Sequence, residues 1–305
     1  MRGQSMIRIR RAVAALVVGA LAVAAPALAQ TPAPAPAPPA DAKPNTGRVS
    51  LSAGADWTTD YYFRGILQED RDWIVQPYGD ITFKLMEGTP AFGNLGLTVG
   101  LWNSLHGGPT GIDGNRTDPD LWYESDFYTK VGWTFLEDFS SAIIYTAYMS
   151  PNDSFRTVQE LAFSLGYNDS KLLGPFALNP SVLVAFEVKG QADAGRHRGV
   201  YLQAGIAPGY TFNAKGTYPV TLTVPLLVGM SLSEYYEFGT GNDDTFGFFQ
   251  GGVAVAVPLA FIPPSFGSWT IKGSLNVLQL GDNLKAVNNN DRTEIIGTIG
   301  LAFAY

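Results

Sequence analysis

From Val49 to the last residue, apolar and polar side chains alternate in segment after segment, and this two-residue period predicts strands throughout. In the first segment Val49, Leu51, Ala53, Ala55, Trp57, Tyr61 and Phe63 share one face, while Ser50, Ser52, Gly54, Asp56, Thr58, Asp60 and Arg64 share the other. The second sets Trp73, Val75, Ile81, Phe83 and Leu85 against Gln76, Tyr78, Asp80, Thr82 and Lys84, and the third runs Leu95 to Leu101. In the fourth, Tyr123, Phe127, Val131, Trp133 and Phe135 oppose Glu124, Asp126, Tyr128, Lys130 and Thr134. Eight more follow, near residues 141–149, 157–167, 182–188, 200–212, 220–232, 249–259, 269–277 and 295–305. The fifth, seventh and tenth are apolar on both faces, so the count expected is twelve, with ten or fourteen as alternatives.

One greasy face per strand suits either a soluble sandwich or a barrel in lipid, and the connections favour the barrel. Those after odd strands are long and polar: Leu67 to Asp72, His106 to Asp120, Pro151 to Arg156, Gly190 to Gly199, Ser233 to Thr245 and Gly281 to Arg292. Those after even strands are shorter or less charged, with Asn168 to Asn179 the exception. Long loops at one end, tight turns at the other and an even strand number describe a transmembrane barrel with both termini in the periplasm. Trp57, Tyr61, Trp73, Tyr123, Trp133, Tyr145, Tyr167, Tyr210, Trp269 and Tyr305 fall on greasy faces, most near strand ends, as an interfacial girdle requires. The expected fold is therefore a single all-β antiparallel barrel over residues 48–305, facing outer-membrane lipid and lipopolysaccharide. The C-terminal face ends on Phe303 and Tyr305, the kind of signal that barrel assembly machinery reads.

The N-terminus fits that destination. Arg2, Arg8, Arg10 and Arg11 precede an apolar run and then Ala27-Leu28-Ala29, which reads as a signal peptide over 1–29 cleaved after Ala29. A Pro/Ala-rich periplasmic linker over 30–47 follows. Removing four arginines leaves 16 basic against 27 acidic side chains, a net charge of −11, which disfavours nucleic acid. No cysteine is present, which excludes disulfides, thiolate metal sites and a lipidated Cys anchor.

The wet faces supply candidate lumen residues: Asp56, Asp60, Asp80, Glu124, Asp126, Glu160, Glu187 and Glu294 against Arg64, Lys84, Lys130 and Lys272. An open lumen of that balance favours cations or neutral polar solutes, and a filled one uses the same residues as an internal salt-bridge network. Twelve strands fall between barrels of about 8, filled by side chains, and those of about 16 to 18 with wide channels, so both readings stand.

The run Asp60-Tyr61-Tyr62-Phe63-Arg64-Gly65-Ile66, with Gln68 after it, resembles the opening motif of the proteobacterial TorF-type porin family. It departs at Leu67, where that family usually has Ser, and the resemblance covers mainly this N-terminal hairpin. The family name implies a pore. Asp60 and Arg64, four residues apart on the wet face, are placed to pair across the lumen mouth, with Gly65 permitting a turn.

Other chemistry is sparse. Ser104 and His106, on the loop after the third strand, are candidates for a lipid hydrolase if both point outward, but no orienting partner is identifiable. Arg196, His197 and Arg198 read as a solvated basic loop or a grip for lipopolysaccharide phosphates. Glu234, Glu237, Asp243 and Asp244 lack ordered Ca²⁺ spacing and read as a solvated acidic loop. The sequence thus predicts no catalysis and no cofactor. A passive channel for small polar or cationic solutes leads, and a surface-binding or envelope-structural barrel with a filled lumen is the alternative.

Overall fold

The computed structural model describes residues 47–305 apart from 90, 109–120 and 240. The expected signal peptide and most of the linker lie outside the described residues. Sixteen strands are described: β1 (Val49–Thr58), β2 (Tyr61–Phe63), β3 (Ile66–Glu69), β4 (Ile74–Met86), β5 (Phe92–His106), β6 (Trp122–Phe135), β7 (Phe139–Met149), β8 (Val158–Tyr167), β9 (Ser181–Lys189), β10 (Val200–Ile206), β11 (Gly209–Phe212), β12 (Val220–Thr223), β13 (Leu226–Ser233), β14 (Phe246–Pro258), β15 (Ser268–Leu280) and β16 (Thr293–Ala304). All but β2 and β3 join one antiparallel sheet, in which β10 pairs with β13 and β11 with β12, and β1 pairs with β16 from Ser52 opposite Ala304 to Thr58 opposite Thr298. The sheet is closed.

It has twelve staves. β10 and β11 form one, interrupted at Pro208, and β12 and β13 form the next, interrupted at Pro225. A proline offers no ladder donor, so a break in the pairing is expected at each. Here the Pro208 and Pro225 carbonyls still accept, from Val224 N–H at 2.9 Å and Gly252 N–H at 3.1 Å, and the wall stays continuous.

The outward positions carry an apolar surface all the way round: Phe83, Leu101, Phe163, Phe186, Val253 and Leu275 are all exposed. Such a belt is far larger than a water-facing surface tolerates, and closure leaves no edge unpaired, which is the condition for strands in hydrocarbon. The chain is a transmembrane β-barrel of twelve staves. Both ends of the barrel segment meet at one rim, where Leu51 and Tyr305 exchange backbone hydrogen bonds at 2.8 Å. The long connections crown the opposite rim, here called the outer one.

Two expectations about faces fail, each for a local reason. Tyr61 and Phe63 continue the outward phase of β1 in sequence, yet β1 ends at Thr58 and both side chains are buried inside the barrel. Tyr123, placed on the lipid face, is also buried inside. The β5–β6 register slips there, Ser104 facing Glu124 while Leu105 faces Trp122, so Tyr123 is the extra residue of a bulge. One added residue turns a side chain to the other face. Trp122 takes the outward place and donates its indole N–H to Asn103 at 3.1 Å.

Candidate functional site

The inserted element is a hairpin. β2 and β3 pair only with each other, Phe63 opposite Ile66, across the two-residue turn Arg64-Gly65. Both turn residues have positive φ, 48° and 85°, the sign pattern of a type I′ turn, whose twist suits a two-residue hairpin. Gly65 is required by space as well: a Cβ there would lie 2.7 Å from the Leu284 side chain and 3.1 Å from Phe248. The hairpin folds from the top of β1 down into the lumen.

Its side chains pack against the whole wall. Tyr61 and Phe63 join Ile74 of β4, Trp102 of β5, Tyr123 of β6, Tyr148 of β7 and Val158 of β8. Tyr62 and Ile66 join residues of β8, β9, β10, β13, β14, β15 and β16, among them Leu183, Tyr201, Phe248 and Leu278. Every stave except β1, from which the hairpin springs, contributes to one cluster or the other. The outer half of the lumen is thus a hydrophobic core, built on the inside of a barrel.

At its centre lies Arg64, fully buried. Its guanidinium makes a two-pronged contact with Glu160 of β8, at 2.8 and 2.7 Å, and donates to the Tyr235 hydroxyl at 2.6 Å. It also sits over the Tyr201 ring at 4.1 Å and near Phe63 and Tyr235 at 5.1 and 5.3 Å. Glu160 takes a further hydrogen bond from Tyr148 at 3.1 Å. A planar fork suits both a carboxylate and ring faces, a combination lysine cannot supply. The expected Asp60–Arg64 pairing is not formed. Asp60 stays at the rim, accepting from Thr59 at 2.6 Å, because the positive-φ turn carries Arg64 across the lumen to the opposite wall.

Outer loops hold the hairpin from above. Asn288, after the helix Asp282–Val287, donates to Gly65 O at 2.6 Å and accepts from Leu67 N–H at 3.0 Å, and Tyr236 donates to Arg64 O at 3.1 Å. Gln68 accepts a short hydrogen bond from the Tyr123 hydroxyl.

The remaining sequence candidates sort by depth. Glu124 and Asp126 face the buried hairpin, and Glu124 accepts from the Tyr61 hydroxyl at 2.8 Å. Glu187 caps an outer loop through Ala192 N–H and Gly199 N–H at 2.5 and 2.7 Å. Glu294 meets the Tyr62 hydroxyl. Towards the other rim, Lys272 bridges Asp56 at 2.9 Å and the Tyr78 hydroxyl at 3.1 Å, and Asp80 accepts from Tyr128 at 2.9 Å. Lys130 is inward and half-buried on β6, and Lys84 pairs with Glu87 at the rim, 2.8 Å away. Several inward positions in this half are small and half-exposed, such as Gly96, Gly132, Ser164, Gly205 and Gly300, set among the larger Tyr78, Tyr128, Lys130 and Lys272. The lumen is therefore a polar vestibule below and a packed core above.

Ser104 and His106 do not lie on an outward loop. Both are in β5, both are fully buried, and Ser104 Oγ is 2.7 Å from His106 Nε2. His106 stacks on Tyr123 at 4.4 Å, and its Nδ1 has no hydrogen-bond partner among the described residues. The pair therefore faces the packed lumen and not the lipid surface expected of a lipid hydrolase.

No family model matches the chain, and no curated protein does. Among solved structures the chain is similar to the beta domain of the Bordetella autotransporter BrkA, at 11% identity over 85% of this chain and 99% of that one, TM-score 0.42. It is similar to outer membrane phospholipase A from Escherichia coli, at 10% identity over 95% and 97%, TM-score 0.39, and to the NanC porin, at 10% over 84% and 98%, TM-score 0.37. These are outer-membrane barrels, and the likeness reaches no individual site.

Proposed function

We propose that this is a non-enzymatic outer-membrane barrel closed at rest by its own N-terminal hairpin, serving as a rigid platform for its outer loops rather than as a standing passive channel. One observation carries the reading: the hairpin core engages the staves all round the outer half of the lumen and leaves its largest side chains without solvent contact. A pore of fixed radius needs the opposite, a water-wetted constriction at every level. Proteoliposomes holding the folded barrel should not swell in an iso-osmotic small sugar. Swelling at the rate of a general porin would end this reading.

A second reading is favoured by a different observation. Below the hairpin the lumen is polar and in part half-exposed, with Asp56 bridged to Lys272 and Asp80 bonded to Tyr128. If a partner or a condition draws the hairpin out, Asp56, Asp80, Glu124, Asp126, Glu160 and Glu187 would line the vacated space with few balancing cations, and the path would favour cations. Transient cation-selective openings in an otherwise silent bilayer would support this gated form, and anion-selective ones would reject it.

A further inference from the structure

Two outer loops bring three metal-ligating groups together. His197 comes from the loop between β9 and β10, and Glu234 and Glu237 from the loop between β13 and β14. His197 Nδ1 lies 3.0 Å from Glu237 Oε1 and 3.5 Å from Glu234 Oε1, and the three donor atoms all fall within 4.8 Å of one another. Bonds of about 2.0–2.2 Å around a tetrahedral ion set its ligand atoms roughly 3.3–3.5 Å apart. The 3.5 Å spacing matches such an edge and the 3.0 Å one lies a few tenths of an ångström inside it, before any ion has drawn the groups into place.

The donors are also held. The second oxygen of Glu237, a buried side chain, accepts from the backbone N–H groups of Arg196 and His197 at 3.1 Å each, tying one loop to the other. Asp193 receives Glu237 N–H at 2.7 Å and Phe238 N–H at 3.0 Å, and Asp243 receives Glu234 N–H at 2.9 Å and Tyr236 N–H at 3.0 Å. Carboxylates that fix the backbone of the ligands do the work that outer-shell partners do in metal sites. Of the three donors only Glu237 is buried; His197 is exposed, which leaves room for solvent to complete the coordination.

We propose that His197, Glu234 and Glu237 form a surface site for a divalent ion of the zinc class, which staples two outer loops together. The imidazole selects zinc, copper or nickel over Ca²⁺ and Mg²⁺, which prefer all-oxygen shells. Without metal, His197 Nδ1 is in hydrogen-bond contact with Glu237 Oε1 at 3.0 Å, and an incoming ion takes the place of that contact. The site adjoins Tyr235 and Tyr236, whose hydroxyls hold Arg64, and metal binding therefore tightens the crown over the hairpin. It does not depend on whether the lumen ever conducts.

The test is calorimetric titration of the untagged, folded, full-length barrel in detergent with zinc chloride, and separately with calcium chloride, near neutral pH. The chain has two histidines, and the other, His106, is buried in the lumen, so the background is low. One saturable micromolar zinc site is expected, weakened by roughly tenfold or more in both His197→Ala and the solvent-facing Glu234→Gln. Glu237→Gln is avoided because that side chain also ties the loops. Folding of each variant is checked by heat-modifiable gel mobility. Absence of saturable zinc uptake by the wild type, or retention of full affinity in both folded variants, overturns the proposal, and so does calcium binding as tightly as zinc.

Discussion

Glu160→Gln tests the hairpin seal at its most sensitive point. In the closed barrel Arg64 and Glu160 are 0% and 2% exposed, and the two prongs of their contact are 2.7 and 2.8 Å. Removing one partner of a buried pair strands the other charge in a poorly polarisable core, which costs about 3–5 kcal/mol. With the hairpin withdrawn, Arg64 meets water and the substitution costs little. The opening equilibrium therefore shifts by nearly the whole amount, roughly 10²- to 10⁴-fold at 1.36 kcal/mol per decade. A thiol reports it well, since the native chain has no cysteine. In a Leu67→Cys background, reaction with a membrane-impermeant maleimide proceeds through the open form, and adding Glu160→Gln should speed it by about that factor. Adding Arg64→Met removes the stranded charge, leaves Tyr148 and Tyr235 a neutral acceptor, and should restore most of the protection. A Glu160→Gln barrel labelled no faster than its parent would refute the claim that this ion pair holds the seal.

Other consequences are nearer the surface or the wall. Asn288→Ala leaves the Gly65 carbonyl and the Leu67 N–H unmatched under the crown, a loss of about 1–3 kcal/mol that amide exchange confined to residues 62–68 should reveal. Leu275→Arg puts a charge on the exposed apolar belt and should cost about 2–4 kcal/mol in urea unfolding from vesicles if it lies near the midplane. Ser104→Ala should leave lipid hydrolysis unchanged, at background, in a detergent assay with a phospholipid substrate. In metal-free buffer, Glu237 raises the His197 pKa above its ordinary 6.5, first by hydrogen bonding and with Glu234 adding charge, while His197 lowers that of Glu237 below 4.5. The histidine's share is complete below 6.5 and lost as pH rises through the raised value. The glutamate's is complete above 4.5 and lost as pH falls through the lowered one. Protection of the loop amides should therefore peak between pH 4.5 and 6.5 and flatten in His197→Gln.

The wall of this barrel was legible because lipid imposes a simple rule on half of every strand. Leu95, Leu97, Val99 and Leu101, or Val220 to Leu232, put their apolar side on hydrocarbon in this closed sheet, and the two-residue period follows. Even the proline-broken staves kept their phase through Pro208 and Pro225. The seal was less legible because the inside of the outer half is apolar too. Tyr61 and Phe63 extend the outward phase of β1 without interruption, and nothing in the period marks the chain's turn inward at Thr59. A signal existed on the wet faces. Trp102, Tyr148, Tyr201, Phe248, Leu278 and Leu280 all fall on lumen positions near the outer ends of their strands, where an aqueous pore would carry polar groups. Read together they ask for an apolar occupant, and Arg64-Gly65, between Tyr61-Tyr62-Phe63 and Ile66-Leu67, is the turn of that occupant. Pairings such as Arg64 with Glu160 across the lumen, or His197 with Glu237 between neighbouring outer loops, come from register and loop geometry and left no local trace.

Bilayer recordings of the intact barrel beside one in which residues 60–72 are replaced by a short Gly/Ser link from Thr59 to Trp73 probe the seal most directly. The intact protein should be silent and the shortened one should conduct steadily, with a preference for cations. Equal conductance from both, or silence from a correctly folded barrel without its hairpin, would contradict the assignment of that hairpin as the element that closes the lumen.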